Sequence, residues 1–106
     1  MSDPLGIDPE EAFIAAIAAC HMLWFLDIAR RSGYAAATYH DRAQGQLTAN
    51  DAGKLWLSHV DLRPRTTWAD KVPSRQVLER LHHEAHENCY IANSVTTRID
   101  VWPESK

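Results

Sequence analysis

The sequence predicts an α+β fold in which two helices pack on a mainly antiparallel sheet. Three observations carry that prediction. The elements read in the order helix, strand, strand, helix, strand, without the strand–helix alternation of a doubly wound sheet. The first helix is apolar on nearly every face, which suits a central element rather than a surface one. The last strand alternates Val95, Thr97, Ile99 and Val101 with Thr96, Arg98 and Asp100, the period-two pattern of a half-buried strand.

Each element has its own signals. Asp8 is a good N-cap, Pro9 suits the first helical position, and Glu11 sits where a capping-box carboxylate reaches back. The run AFIAAIAACHMLWFLDIA follows; Arg30 and Arg31 suit the negative end of its dipole, and Ser32-Gly33 ends it. Thr38 to Thr48 reads as a weak, half-solvated strand, and Asn50-Asp51-Ala52-Gly53 as a hairpin turn. Lys54 to Arg63 is a stronger strand that Pro64 should end, with TTWADKVP as loop. Ser74 caps a second helix from Arg75 to Asn88, whose apolar stripe is Val77, Leu78, Leu81 and Ala85. The third strand is expected over Val95 to Val101.

The length, 106 residues, fits a single domain over 1–106. Eleven Lys and Arg against 14 Asp and Glu give a net charge of −3, which disfavours a nucleic-acid binder. The acidic start MSDPLGIDPEE has no positive n-region and does not read as a signal peptide. The apolar stretch Ala12 to Leu26 falls short of the about 20 residues a bilayer span needs, so no membrane partner is expected. A cytoplasmic, reducing compartment follows as the expectation. Three strands cannot cover an all-round apolar helix, and a homodimer is expected to bury what remains.

Cys20 lies in the middle of the first helix and Cys89 ends the second, on the inward stripe Leu78, His82, Ala85 and Cys89. In a reducing compartment such a pair is more often catalytic, redox-active or metal-binding than a structural staple. Sequence alone does not place the two within disulfide range. His82 and His86 stand four apart with Cys89 three further on, an acceptable zinc-ligand spacing with Cys20 or water as fourth ligand. The plainer reading is that some of these histidines decorate a solvated helix while one satisfies a core hydrogen bond. His40 and His59 have no visible partner and read as structural. Trp24, Trp56, Trp68 and Trp102 are scattered and read as core or interface residues.

Two stretches, DPEEAFIAAIAACHM (Asp8 to Met22) and LHHEAHENCYIANSVTTRIDV (Leu81 to Val101), resemble the OsmC-like family. That family comprises the osmotically inducible protein C and the organic hydroperoxide resistance proteins. The resemblance covers almost the whole chain and implies an intertwined homodimer with a thiol peroxidase activity in oxidative stress defence. Cys20 then matches the cysteine that attacks an organic hydroperoxide and becomes a sulfenic acid. Cys89 matches the resolving cysteine, whose disulfide an external dithiol reduces, and no cofactor is implied. Glu10 matches the glutamate that orients the family's arginine. Glu10 and Cys20 are ten residues apart, about 15 Å along a straight helix. A site shared between two chains is therefore expected. The family carries strands and the active-site arginine before this helix, whereas this sequence begins almost at it, leaving Arg63, Arg65 or Arg98 to substitute. Where many hydroperoxide resistance proteins have Pro after the second cysteine, this chain has Tyr90. The alternative is a shortened relative that binds a hydrophobic ligand and turns over little.

Overall fold

The computed structural model describes residues 8–105, so the leader reading of the first seven residues lies outside the described part. Helix α1 runs from Pro9 to Arg31, with the Asp8 carboxylate accepting the Glu11 N–H at 2.9 Å. Helix α2 runs from Arg75 to Asn88, and the Ser74 hydroxyl accepts the Val77 N–H. Both helices occupy the expected spans because their caps and apolar positions agree.

Six strands follow from three expected ones: β1 Ala36–Asp41, β2 Gln44–Ala49, β3 Leu55–Leu62, β4 Pro64–Trp68, β5 Arg98–Val101 and β6 Glu104–Ser105. They form two three-stranded sheets, β1-β4-β6 and β2-β3-β5. In each, an antiparallel pair (β1 with β4, β2 with β3) carries a short parallel strand at its edge. The sheet is thus mixed.

The expected strand Thr38–Thr48 breaks at Arg42-Ala43, and its partner does not end at Pro64 but continues to Trp68. Asp41 faces Pro64 and Gln44 faces Asp61, so one hairpin register carries across the break without a shift. Proline lacks the ladder donor and interrupts the pairing there. The Asp41 side chain accepts the Arg63 N–H at 2.8 Å across the bend. The last strand breaks beside it, at Trp102-Pro103, and the Trp102 N–H still reaches the Leu62 carbonyl at 2.8 Å. The expected third strand, Val95 to Val101, begins only at Arg98; residues 95–97 are irregular and follow a short 3-10 turn, Ala92–Ser94.

The core lies under α1. Its first half places Ile17 on Val60, Leu62 and Ile99 of β3 and β5; its second half places Phe25, Ile28 and Ala29 on Leu78, Leu81 and Ala85 of α2. Gly45 of β2 gives α1 room: a Cβ there would sit 2.5 Å from Ile14 Cδ1. With 23 residues, α1 is long and apolar enough to cross a bilayer by length and composition alone, so the shorter apolar stretch is not the reason to place it in a core. The reason is its packing: one side meets both sheets and α2, and that side includes the buried His21. Leu23 on the same helix is 64% exposed, so part of its apolar surface is uncovered.

Candidate active site

The two cysteines come together across the α1–α2 crossing. Cys20 is partly buried on α1, and Cys89 is buried at the C-cap of α2. Both are free thiols, and the Cys20 side chain is in hydrogen-bonding contact with that of Cys89. One turn on from Cys20, Trp24 sets its ring edge-on to Tyr90 at 5.7 Å, so an aromatic pair stands beside the thiol pair. Burial, then the Cys20 thiol, pushes Cys89 above the usual thiol range, against backbone N–H groups of Ala92 and Ile91 that favour its thiolate. Ala92 N–H meets the Cys89 sulfur at 3.4 Å. Chemically, such an arrangement suits one reachable sulfur and one buried neutral thiol waiting beside it.

Next to Cys20 in sequence, His21 points into the helix interface. Its Nε2 lies 2.9 Å from Nδ1 of His82, and both rings are buried. His82 also stacks on Phe25, with centroids 3.9 Å apart and planes 12° from parallel. Burial, with a smaller contribution from His86, lowers the His21 pKa to about 4. Burial, then His21 and Arg75, lowers that of His82 to about 3. Both imidazoles are neutral at pH 7, and one hydrogen bond between two neutral rings couples their tautomers. If His21 donates from Nε2, its buried Nδ1 is a bare acceptor and His82 Nε2 carries a proton; the reverse donor reverses both ends. Those outer atoms, His21 Nδ1 and His82 Nε2, have no hydrogen-bond partner.

This pairing overturns the zinc reading. The Nδ1 of His82 is taken by His21, and among the described residues His82, His86 and Cys89 do not converge as ligands. The plainer alternative, one histidine satisfying a core hydrogen bond, describes His82. His59 is the other correction: it is not isolated but meets Asp61 and Asp100. The spacing His59-Val60-Asp61, two polar residues on one strand face, was the available signal. Trp24 and Trp68 pack on the core as expected, whereas Trp56 and Trp102 stay 39% and 55% exposed.

Glu10 does not reach Cys20 within the chain, because it lies exposed in the first turn of the same unbroken helix. Of the candidate arginines, Arg98 is held by Asp100 at 3.1 Å. Arg63 sits at the bend between β3 and β4 with its Nη1 buried and unpartnered. Among the described residues no cation contributes to the environment of the Cys89 thiol. A groove of about 640 Å³ runs between α2 and the last strands, past Arg75, His82, His86, Asp100 and Trp102, and neither cysteine lines it.

Comparison with known proteins matches this architecture. The family model described as OsmC-like protein matches residues 2–104. An OsmC-like protein of unknown function from Vibrio cholerae is 46% identical, with a TM-score of 0.90 over 96% of this chain and 67% of that one. The organic hydroperoxide resistance protein OhrB of Bacillus subtilis is 22% identical, with a TM-score of 0.68 over 95% of this chain and 71% of that one. An organic hydroperoxide resistance protein from Legionella pneumophila is 21% identical, with a TM-score of 0.74 over 98% of this chain and 72% of that one. These last two likenesses show the fold. No curated protein matches the chain.

Proposed function

Because the chain belongs to the OsmC-like protein family, we propose that it is a thiol-dependent peroxidase that reduces organic hydroperoxides in the cytoplasm as part of oxidative stress defence. The observation that carries this reading is the contact between the Cys20 and Cys89 thiols. Two proteins of the same fold are organic hydroperoxide resistance proteins by name, which supports this choice of substrate class.

The chemistry divides between the two sulfurs. The Cys20 thiolate attacks the terminal peroxide oxygen; the O–O bond breaks, the alkoxide takes a proton and leaves as an alcohol, and Cys20 becomes a sulfenic acid. The Cys89 sulfur then attacks that of Cys20. An S–S bond forms, hydroxide leaves as water with the Cys89 proton, and an external dithiol reduces the disulfide. Greater exposure suits Cys20 to meet the peroxide, and burial suits Cys89 to stay a thiol until then. The aromatic pair Trp24–Tyr90 favours an alkyl peroxide over hydrogen peroxide.

In the proposed enzyme two chains associate through the uncovered side of α1, where Leu23 is exposed, and Glu10 of one chain approaches Cys20 of the other. The test is to treat reduced Cys89→Ser protein with cumene hydroperoxide in the presence of dimedone. The proposal expects one adduct, on Cys20, and none in Cys20→Ser. Labelling at Cys20 no faster than that of a free thiol would contradict it and favour the low-turnover, ligand-binding alternative.

A further inference from the structure

We propose that His59, Asp61 and Asp100 form a binding site for a first-row divalent metal ion, separate from the cysteines. The site begins with strand geometry. His59 and Asp61 are two apart on β3 and share one face of the sheet. The intervening Val60 turns to the other face and is buried against α1. Strand β5 runs parallel to β3 and sets Asp100 beside Asp61 and Arg98 beside His59. The result is a convergent trio on the sheet face opposite the one that packs on α1.

Three features point from this trio to a metal. First, the ligand atoms meet. His59 Nε2 lies 2.8 Å from Asp100 Oδ2 and 3.2 Å from Asp61 Oδ1, and all three atoms fall within 4.8 Å of one another. Ligands bound at about 2.0–2.2 Å to one ion sit about 3.0 Å apart at a right angle and about 3.4 Å apart at a tetrahedral one. The two His59–carboxylate separations lie within a few tenths of an ångström of those values, and the two carboxylate oxygens, within 4.8 Å of each other, would draw in on the ion. Second, one nitrogen faces two carboxylate oxygens, and a single N–H points at only one of them well; an ion at the centre satisfies all three atoms.

Third, Asp61 is held in place: the Trp102 indole N–H donates to Asp61 Oδ1 at 2.8 Å. Donors of this kind hold metal ligands in position. The exposed Arg98 guanidinium, 3.1 Å from Asp100 Oδ2, is the cation that a metal ion would displace from that oxygen. The side chains are only about a quarter exposed (26%, 25% and 28%), so the carboxylates are partly dehydrated and gain more from a cation than surface ones do. One imidazole with two carboxylates suits ions from manganese to zinc rather than calcium or magnesium. The ion would clip the short strand β5 to β3.

The test uses the full chain with Cys20→Ser and Cys89→Ser, so that thiols do not bind the probe, titrated calorimetrically with Zn²⁺ and Co²⁺. The proposal expects one ion per chain, and affinity at least about tenfold weaker in Asp61→Asn and in Asp100→Asn. Co²⁺ should shift proton resonances of β3 and β5 before those of α2. This last readout needs no substitution in the site and decides the matter if an Asn variant does not fold. Absence of saturable binding, binding undiminished in both Asn variants, or Co²⁺ shifts centred on the α2 histidines would each overturn the site; in the first case His59 is simply a hydrogen-bonding partner of the two carboxylates.

Discussion

Buried between α1 and α2, His21 and His82 satisfy one nitrogen each and leave the other bare, so their neutral forms are part of the fold. Both folded pKa values lie below the unfolded value of 6.5. The unfolded chain therefore binds more protons as pH falls from 6.5 toward 4 and then 3. Stability from these groups is complete above pH 6.5 and is lost across that window, by on the order of a few kcal/mol. Urea midpoints measured from pH 7.5 to 4 should fall below pH 6.5. In the paired variant His21→Leu with His82→Leu that slope should flatten, whereas His21→Leu alone should cost about 1–3 kcal/mol at pH 7 by stranding His82. The inward position of His82 was legible from its stripe, but its partner stands 61 residues away and no local pattern names it. His59 is the mixed case: Asp61 lies two residues on along its own strand and was open to a spacing argument, whereas Asp100 is brought to it by a strand pairing that no spacing shows.

Helices were legible because their start and stop signals are local. The end of α1 shows why: Gly33 has φ +91°, its N–H bonds the Arg30 carbonyl, and the Tyr34 N–H bonds that of Ala29. This is the glycine-dependent helix stop that Ser32-Gly33 predicted. Gly33→Ala should lower stability by about 1 kcal/mol through the left-handed backbone, read as a lower urea midpoint with unchanged slope. The strands were half legible. The turn at 50–53 is fixed by Asn50, whose side chain accepts the N–H groups of Ala52 and Lys54, and by Gly53 at φ +77°. The continuation through Pro64 was hidden, because proline is a strand breaker in sequence and here only marks a bend in a longer hairpin. Parallel pairing of β5 and β6 had no signal either, since four- and two-residue edge strands are set by their partners.

At the scale of the whole molecule, the cysteine pair was legible as two motifs whose order resembled a family, and its contact followed once both helices took their places. The position of Glu10 keeps the proposed site incomplete within one chain. Mixed dimers of Cys20→Ser with Glu10→Ala chains should therefore regain about half of the parent activity, one intact site in two, while both mutant homodimers stay impaired. Activity in the mixture no greater than in either homodimer would place Glu10 outside the site. The peroxidase chemistry itself rests on the two thiols. It is read by intact mass and peptide mapping of reduced protein at intervals after one equivalent of cumene hydroperoxide or of hydrogen peroxide. A Cys20–Cys89 disulfide should form quickly with the organic peroxide and much more slowly with hydrogen peroxide. Equal, slow oxidation by both, or a disulfide that does not join these two cysteines, would contradict it.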